Sequence, residues 1–278
     1  MLVLGTAQLR AAYGVVRRRR ERAAELDALE VLASAVELGV EAFDTAPSYD
    51  DAEELIGASG APVGIHTKFD PALDPAVSIA RSLERLQRRS VEIAYFHDHS
   101  IVTDDPHRWI ERATTLVGSE VARLGVSVYD AEELRAAVAR ECFGAVQLPM
   151  NVLDRRISVA EINSARAHGL AIYARSPFLQ GVLLADPRAL PSHLEALAPS
   201  VARIRDLAHS NGLTPMHLAL AWLRDVPGVD GVVVGAEDVT QLRELTHAWA
   251  QPPLPPEVLD GIEQQPRPHD DLLDPRRW

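Results

Sequence analysis

Eight short apolar runs, each followed by a stretch of helical character, limit most narrowly what this chain can fold into. The runs cover residues 2–5, 41–44, 63–68, 91–97, 122–127, 145–148, 171–174 and 231–235. Between them apolar residues recur at helical spacing, as in Leu26, Leu29, Leu32 and Val36, or Ile79, Leu83 and Leu86. Asp74-Pro75 and Thr214-Pro215 read as an N-cap followed by a first-turn proline, and Asp130 with Glu133 as a capping-box pattern. Alternation of β and α over 278 residues implies a parallel sheet, either open and doubly wound or closed into an eight-stranded barrel. The Gly-x-Gly-x-x-Gly fingerprint of the open dinucleotide fold is absent. The polar residues Asp44, Lys68, His97, Ser127, Gln147 and Ser176, with Gly235, fall at or just past the C-terminal ends of the runs. In a parallel barrel those ends share one face, where active sites are built. The expected fold is therefore an α/β (β/α)8 TIM barrel, a single domain over residues 1–278. Its proline-rich tail, 252–278, wraps the surface and carries one short helix near 257–264.

Composition narrows the partners. The chain carries 40 acidic and 28 basic side chains, a formal net charge of −12, whereas phosphate contacts to nucleic acid need a basic footprint. The one basic cluster, Arg17 to Arg20, runs into acidic residues from Glu21 and reads as a solvated loop entering the first helix. No apolar stretch has the length of a membrane span, and the N-terminus shows neither a signal-peptide layout nor a lipidation motif. The one cysteine, Cys142, allows no intrachain disulfide. The expectation is a soluble cytoplasmic protein without nucleic-acid or membrane partners.

Of the 28 basic side chains one alone is lysine, Lys68, and it ends a strand-like run instead of decorating a helix. Lysine and arginine exchange freely on a surface but not where a compact ammonium or a tunable pKa is needed. Asp44, Tyr49, Lys68 and His97 make a chemical set. An ammonium beside a phenol favours the phenolate, a carboxylate fixes the ammonium and keeps it charged, and an imidazole can hydrogen-bond a carbonyl oxygen. Together they equip a general acid that protonates a carbonyl oxygen while hydride arrives at its carbon.

With these residues in place the chain resembles the aldo-keto reductase family. The resemblance rests on Leu4-Gly5-Thr6-Ala7-Gln8, on Phe43-Asp44-Thr45-Ala46-Pro47-Ser48-Tyr49 continuing to Glu53 and Gly57, on Thr67-Lys68, and on Ile93 through His97. It continues through Leu124-Gly125-Val126-Ser127, Val146 through Asn151, Ser176 through Gly181, and Val234-Gly235-Ala236. It implies carbonyl–alcohol interconversion with NADP(H) or NAD(H), no metal, and a small-molecule carbonyl or alcohol as substrate. By that resemblance Tyr49 is the proton donor, Lys68 assists it, Asp44 holds Lys68, and His97 orients the carbonyl. Ser127 and Gln147 are expected on the nicotinamide carboxamide, with Gly5 and Thr6 bordering the cofactor. Ser176 and Phe178 are expected along the pyrophosphate, and Gly235, Glu237 and Gln241 near the adenosine end. Arg175 stands where an aromatic often stacks on the nicotinamide, Val128 where the family usually has Asn, and Asp50 where it usually has Gly. A bacterial branch carrying Gly-Val-Ser-Val-Tyr and Arg-Ser-Pro-Phe-Leu-Gln-Gly shares such traits. Glu237 and Asp238 oppose a 2′-phosphate and Gln241 replaces a usual arginine, which favours NADH by charge, while the family favours NADPH.

Three other readings compete. His97 and His99 share a strand face and suggest a metal-dependent barrel hydrolase, although no further ligands follow at a clear spacing. Val128, Arg175 and the acidic adenosine end suggest a non-catalytic, cofactor-binding barrel acting as an interaction subunit. An internal redox or elimination step with retained cofactor keeps the chemistry but changes the net reaction. Polar residues in the loops, among them His99, His107, Arg188 and His193, point to a sugar-like substrate, and Trp109 either lines a pocket or packs beneath its loop.

Overall fold

A computed structural model describes residues 1–10, 25–105 and 107–278; the cluster Arg17 to Arg20 lies outside the described residues. Eight parallel strands close into a barrel in chain order. They are β1 Leu2–Gly5, β2 Ala42–Asp44, β3 Gly64–Phe69, β4 Val91–Phe96, β5 Val121–Ser127, β6 Ala145–Pro149, β7 Ala171–Arg175 and β8 Gly231–Gly235. The helices around them are α1 Ala7–Arg10, α2 Glu25–Glu37, α3 Ala52–Ser59, α4 Pro75–Leu86, α5 Trp109–Thr114, α6 Ala131–Ala139, α7 Val159–Ala167, α8 Ala198–Ser210, α9 Pro215–Arg224 and α10 Val239–Trp249. The tail adds α11 Pro256–Glu263 and α12 Asp270–Leu273.

Local chemistry sets the helix starts where the sequence marks them. The Asp74 side chain accepts the Ala76 N–H ahead of Pro75, and Thr214 accepts the His217 N–H ahead of Pro215. Asp130 caps α6 through the Glu132 and Glu133 N–H groups. Glu133, however, reaches past the cap to the Tyr129 N–H at 2.6 Å. A full reciprocal capping box forms instead at Ser158 and Glu161, ahead of α7.

Strand pleating separates two apolar layers. Outward residues such as Leu4, Phe43, Ala94, Leu124, Val146 and Ile172 join the helices in the main core. Val3, Ala42, Ile93, Tyr95, Ala145 and Tyr173 form a second buried cluster, the inward layer of the strands. His66 is fully buried with it, edge-on to Tyr173 with ring centroids 4.8 Å apart. The barrel is therefore plugged by side chains, and its chemistry is confined to the face where the strands end. The tail packs onto this body through Leu254, Val258, Ile262 and Leu273, all buried. Arg155 Nη2 donates to the Gln265 carbonyl at 2.8 Å, next to the C-terminus of α11. No helix among the described residues is long and apolar enough to cross a membrane.

Candidate active site

The ends of β2 and β3 bring Asp44 and Lys68 together. Lys68 Nζ donates to Asp44 Oδ1 at 2.8 Å and to the Thr45 carbonyl at 2.9 Å. The two side chains are only 2% and 6% exposed. Burial by itself pushes the Lys68 ammonium down, but the Asp44 carboxylate and Tyr49 outweigh it, and the group titrates above the ordinary lysine range. Lys68 is therefore a fixed positive charge at neutral pH. Removing one member of such a buried pair costs about 3–5 kcal/mol, because the other is left uncompensated. Tyr49 follows in the turn after β2, half-buried, with its ring centroid 5.0 Å from Lys68 Nζ.

Asp44 has a second partner. Gln147 Nε2, from β6, donates to Asp44 Oδ2 at 2.7 Å. Both carboxylate oxygens are thus engaged, one by a cation and one by an amide. With its nitrogen committed to Asp44, Gln147 presents its oxygen as the remaining polar atom. Ser127 is buried beside it, paired in register with Gln147 across β5 and β6. His97 directly follows β4 and is exposed on the rim. Desolvation by the surrounding loops, helped by the Lys68 and Arg175 cations, pushes its ring down to about 4, so the imidazole is neutral near pH 7.

A cleft of about 240 Å³ crosses this mouth, with Asp44, Tyr49 and Gln147 on one side and Gly5, Val233 and Gly235 on the other. Thr6, buried, donates its hydroxyl to the Asp44 carbonyl at 3.1 Å and fastens the end of β1 to that of β2. The turn after β7 forms the third wall through Arg175, Ser176, Pro177, Phe178, Gln180 and Gly181. Its backbone is unusual: Ser176, Leu179 and Gln180 all take left-handed conformations, with φ of 60°, 48° and 53°. Asn151 steadies the turn, donating from Nδ2 to the Ser176 carbonyl at 3.1 Å. At the far end Gln241 Oε1 accepts the Glu237 N–H at 2.6 Å, and Asp238 caps α10.

Two observations fit this cleft to a dinucleotide. Gln8 Oε1 lines it, buried and without a hydrogen-bond partner, an acceptor that a ligand donor would satisfy. Gly235 faces the Gln8 amide directly: an added Cβ would come within 1.9 Å of that same oxygen, so a side chain there would displace Gln8. Polar side chains of the lining include Gln8, Gln147, Glu237 and Gln241.

The structure unites Asp44, Tyr49, Lys68, Gln147, Arg175, Ser176, Phe178, Gly235, Glu237 and Gln241 around the barrel mouth, with His97 on its rim. The metal arrangement is not formed: His99 Nε2 lies 3.2 Å from Glu133 on the far side of the loop, and no group of three or more metal-binding side chains occurs among the described residues. Trp109 stacks on His107 at 5.1 Å and packs partly against the core, away from the cleft. Sequence reasoning misses Tyr129, which lies between two guanidinium groups: Arg175 Cζ is 4.3 Å from its ring centroid and Arg276 Cζ 3.5 Å. It also misses Gln8, whose only signal was its place in the first quoted motif.

Comparison with known proteins places the family and the fold. The model of the Aldo/keto reductase family matches residues 1–265. Aldo-keto reductase str7 of Strobilurus tenacellus is 27% identical over 274 residues, covering 84% of this chain and 77% of its own. Aldo-keto reductase YhdN of Bacillus subtilis is 21% identical over 264 residues, covering 80% and 78%. Among solved structures, aldo-keto reductase AKR11C1 from Bacillus halodurans in its holo form superposes with a TM-score of 0.76 at 21% identity, covering 95% of this chain and 91% of its own. An aldo-keto reductase from Klebsiella pneumoniae in complex with NADPH gives 0.72 at 23% identity, covering 95% and 89%.

Proposed function

The chain belongs to the aldo/keto reductase family, and on that premise we propose an NAD(P)H-dependent oxidoreductase that interconverts a small carbonyl compound and its alcohol, with Tyr49 as acid in reduction and base in oxidation. When bound, the dinucleotide supplies hydride-transfer chemistry at its nicotinamide ring. The observation that carries the reading is the buried Lys68–Asp44 pair beside Tyr49.

The residues divide the work by charge. Giving a proton to the carbonyl oxygen leaves negative charge on the Tyr49 oxygen, and the Lys68 ammonium stands next to it. Asp44 holds that ammonium in place and keeps it charged. His97, neutral near pH 7, donates a hydrogen bond to the same carbonyl oxygen and orients it. Gln147 offers its oxygen to the nicotinamide carboxamide, with Ser127 beside it. Gly5 and Thr6 border the ring, Ser176 and Phe178 the diphosphate, and Gly235, Glu237 and Gln241 the adenosine. The Klebsiella neighbour's complex with NADPH supports the phosphorylated dinucleotide, while the acidic pair Glu237 and Asp238 supports NADH. Parallel titration of both ranks them. The loop residues that point to a sugar-like substrate in the sequence, His99, His107, Arg188 and His193, lie outside the cleft lining. A half-buried Cys142, whose thiol burial pushes up, suits a reducing cytoplasm.

Tyr49→Phe tests the proposal. Turnover should fall by about 10²- to 10⁴-fold, the range for loss of a general acid, with dinucleotide affinity within about threefold of wild type. Near-wild-type turnover would remove Tyr49 from its assigned role.

A further inference from the structure

We infer that Arg175 is an anion receptor for the carbonyl substrate, and that the natural substrate carries a carboxylate beside or near its reacting carbonyl. The inference rests on the reductase reading above for the carbonyl itself, and on the Arg175 guanidinium for the carboxylate.

Two arginines flank Tyr129, and their surroundings differ. Arg276, on the face turned towards the tail, is neutralised by Asp274 through Nε at 2.9 Å and Nη2 at 2.6 Å. Arg175, which lines the cleft with Tyr49 and Gln147, makes one hydrogen bond, from Nη2 to the Val128 carbonyl, at a long 3.5 Å. No carboxylate lies within ion-pair distance of it among the described residues. The chain holds 40 acidic side chains, yet none of those described pairs with this cation. A half-buried guanidinium without a counter-charge is unfavourable, and an arriving anion removes that cost.

The stack also fixes the direction in which the group points. Tyr129 is a shelf held by Arg276 against its ring and, at its backbone N–H, by Glu133. A guanidinium resting on it, Cζ 4.3 Å from the ring centroid, loses little further freedom when it binds. Its remaining N–H groups form the planar fork that matches a carboxylate. This shelf stands on the loop after β5, next to the rim that carries His97, whereas the adenosine end lies across the cleft at Glu237 and Gln241. The anion it receives therefore belongs to the substrate side. A dinucleotide diphosphate has the same chemistry, and the experiment separates the two.

Isothermal titration calorimetry of benzoate and of its neutral isostere benzamide, on wild type, Arg175→Met and Arg175→Lys, reads the site without turnover. Wild type should bind benzoate at least tenfold more tightly than benzamide. Arg175→Met should lose that preference and Arg175→Lys should recover part of it, with any loss of NADPH affinity smaller than the loss of benzoate affinity. Equal binding of benzoate and benzamide by wild type, no benzoate binding, or an unchanged preference in Arg175→Met overturns the inference. So does competition of benzoate with NADPH joined to an equal loss of NADPH affinity in Arg175→Met, which assigns the guanidinium to the diphosphate. Failure to reduce 4-carboxybenzaldehyde or 4-methylbenzaldehyde while benzoate selectivity persists counts against hydride transfer, not against this receptor.

Discussion

His97 shows how one side chain can be exposed and still be governed by its neighbours. Desolvation, with the Lys68 and Arg175 cations close by, pushes its ring down to about 4 in the folded protein, against about 6.5 in an unfolded chain. Between those values the unfolded chain holds a proton that the folded protein lacks, so stability rises with pH across the window and falls on acidification. His97→Gln should therefore flatten the acid side of a melting-temperature profile taken from pH 4 to 7, by at most about 1 kcal/mol because solvent screens the ring. Parallel profiles for variant and wild type would show that the ring is not held neutral. Asp44 makes a different point at the same scale. That a carboxylate accompanies Lys68 is legible in the sequence from its place at a strand end. That its other oxygen takes Gln147 is not, because the partners are 103 positions apart and meet only when β2 and β6 are set in one closed barrel.

At the scale of elements, the strands were the easiest to read. Mostly buried on both faces, they read as largely apolar runs, and the observed bounds differ from the expected ones by no more than a residue at either end. Helix contacts are a harder case. Gly57 in α3 sits against the last turn of α4, where an added Cβ would stand 2.3 Å from the Arg85 carbonyl oxygen. Backbone cannot yield as a flexible side chain does. Gly57→Ala should thus push α3 off α4 and cost about 1–3 kcal/mol, read as a lower midpoint in urea with an unchanged slope. A wild-type midpoint would mean that the two helices slide apart freely. Beneath the same contact Glu53 is buried, accepting from the Thr67 hydroxyl at 2.8 Å; burial, only partly offset by Thr67, Ser82 and Arg85, holds its carboxyl above the usual range. Nothing in a local reading marks it as interior, since glutamate in a first helical turn is ordinary at a solvated N-terminus.

The whole molecule depends on its tail more than a proline-rich composition suggests. Six prolines between 252 and 268 read as surface wrapping, yet the tail from 252 to 278 buries Leu254, Val258, Ile262 and Leu273 in the main core. At about 1.5–3 kcal/mol for each buried side chain, deleting residues 252–278 should remove most of the stability of a marginally stable protein. The expected result is loss of a cooperative thermal transition; a truncated chain melting within a few degrees of full length would show the tail to be an appendage. Tail and site are also linked, through Arg276 on Tyr129 and Tyr129 on Arg175, a chain of contacts between residues far apart in sequence and therefore invisible before the fold is known. The turn after β7 has a consequence of another kind. Three non-glycine residues there hold left-handed backbone, each disfavoured by about 1–2 kcal/mol, and the half-exposed Ser176 and Gln180 have little packing to lose on exchange for glycine. Substitutions that relieve this strain therefore fall in the wall of the binding cleft. A laboratory selection for a hardier protein would be drawn to the segment that shapes its ligand, and the variants it enriches would trade selectivity for endurance.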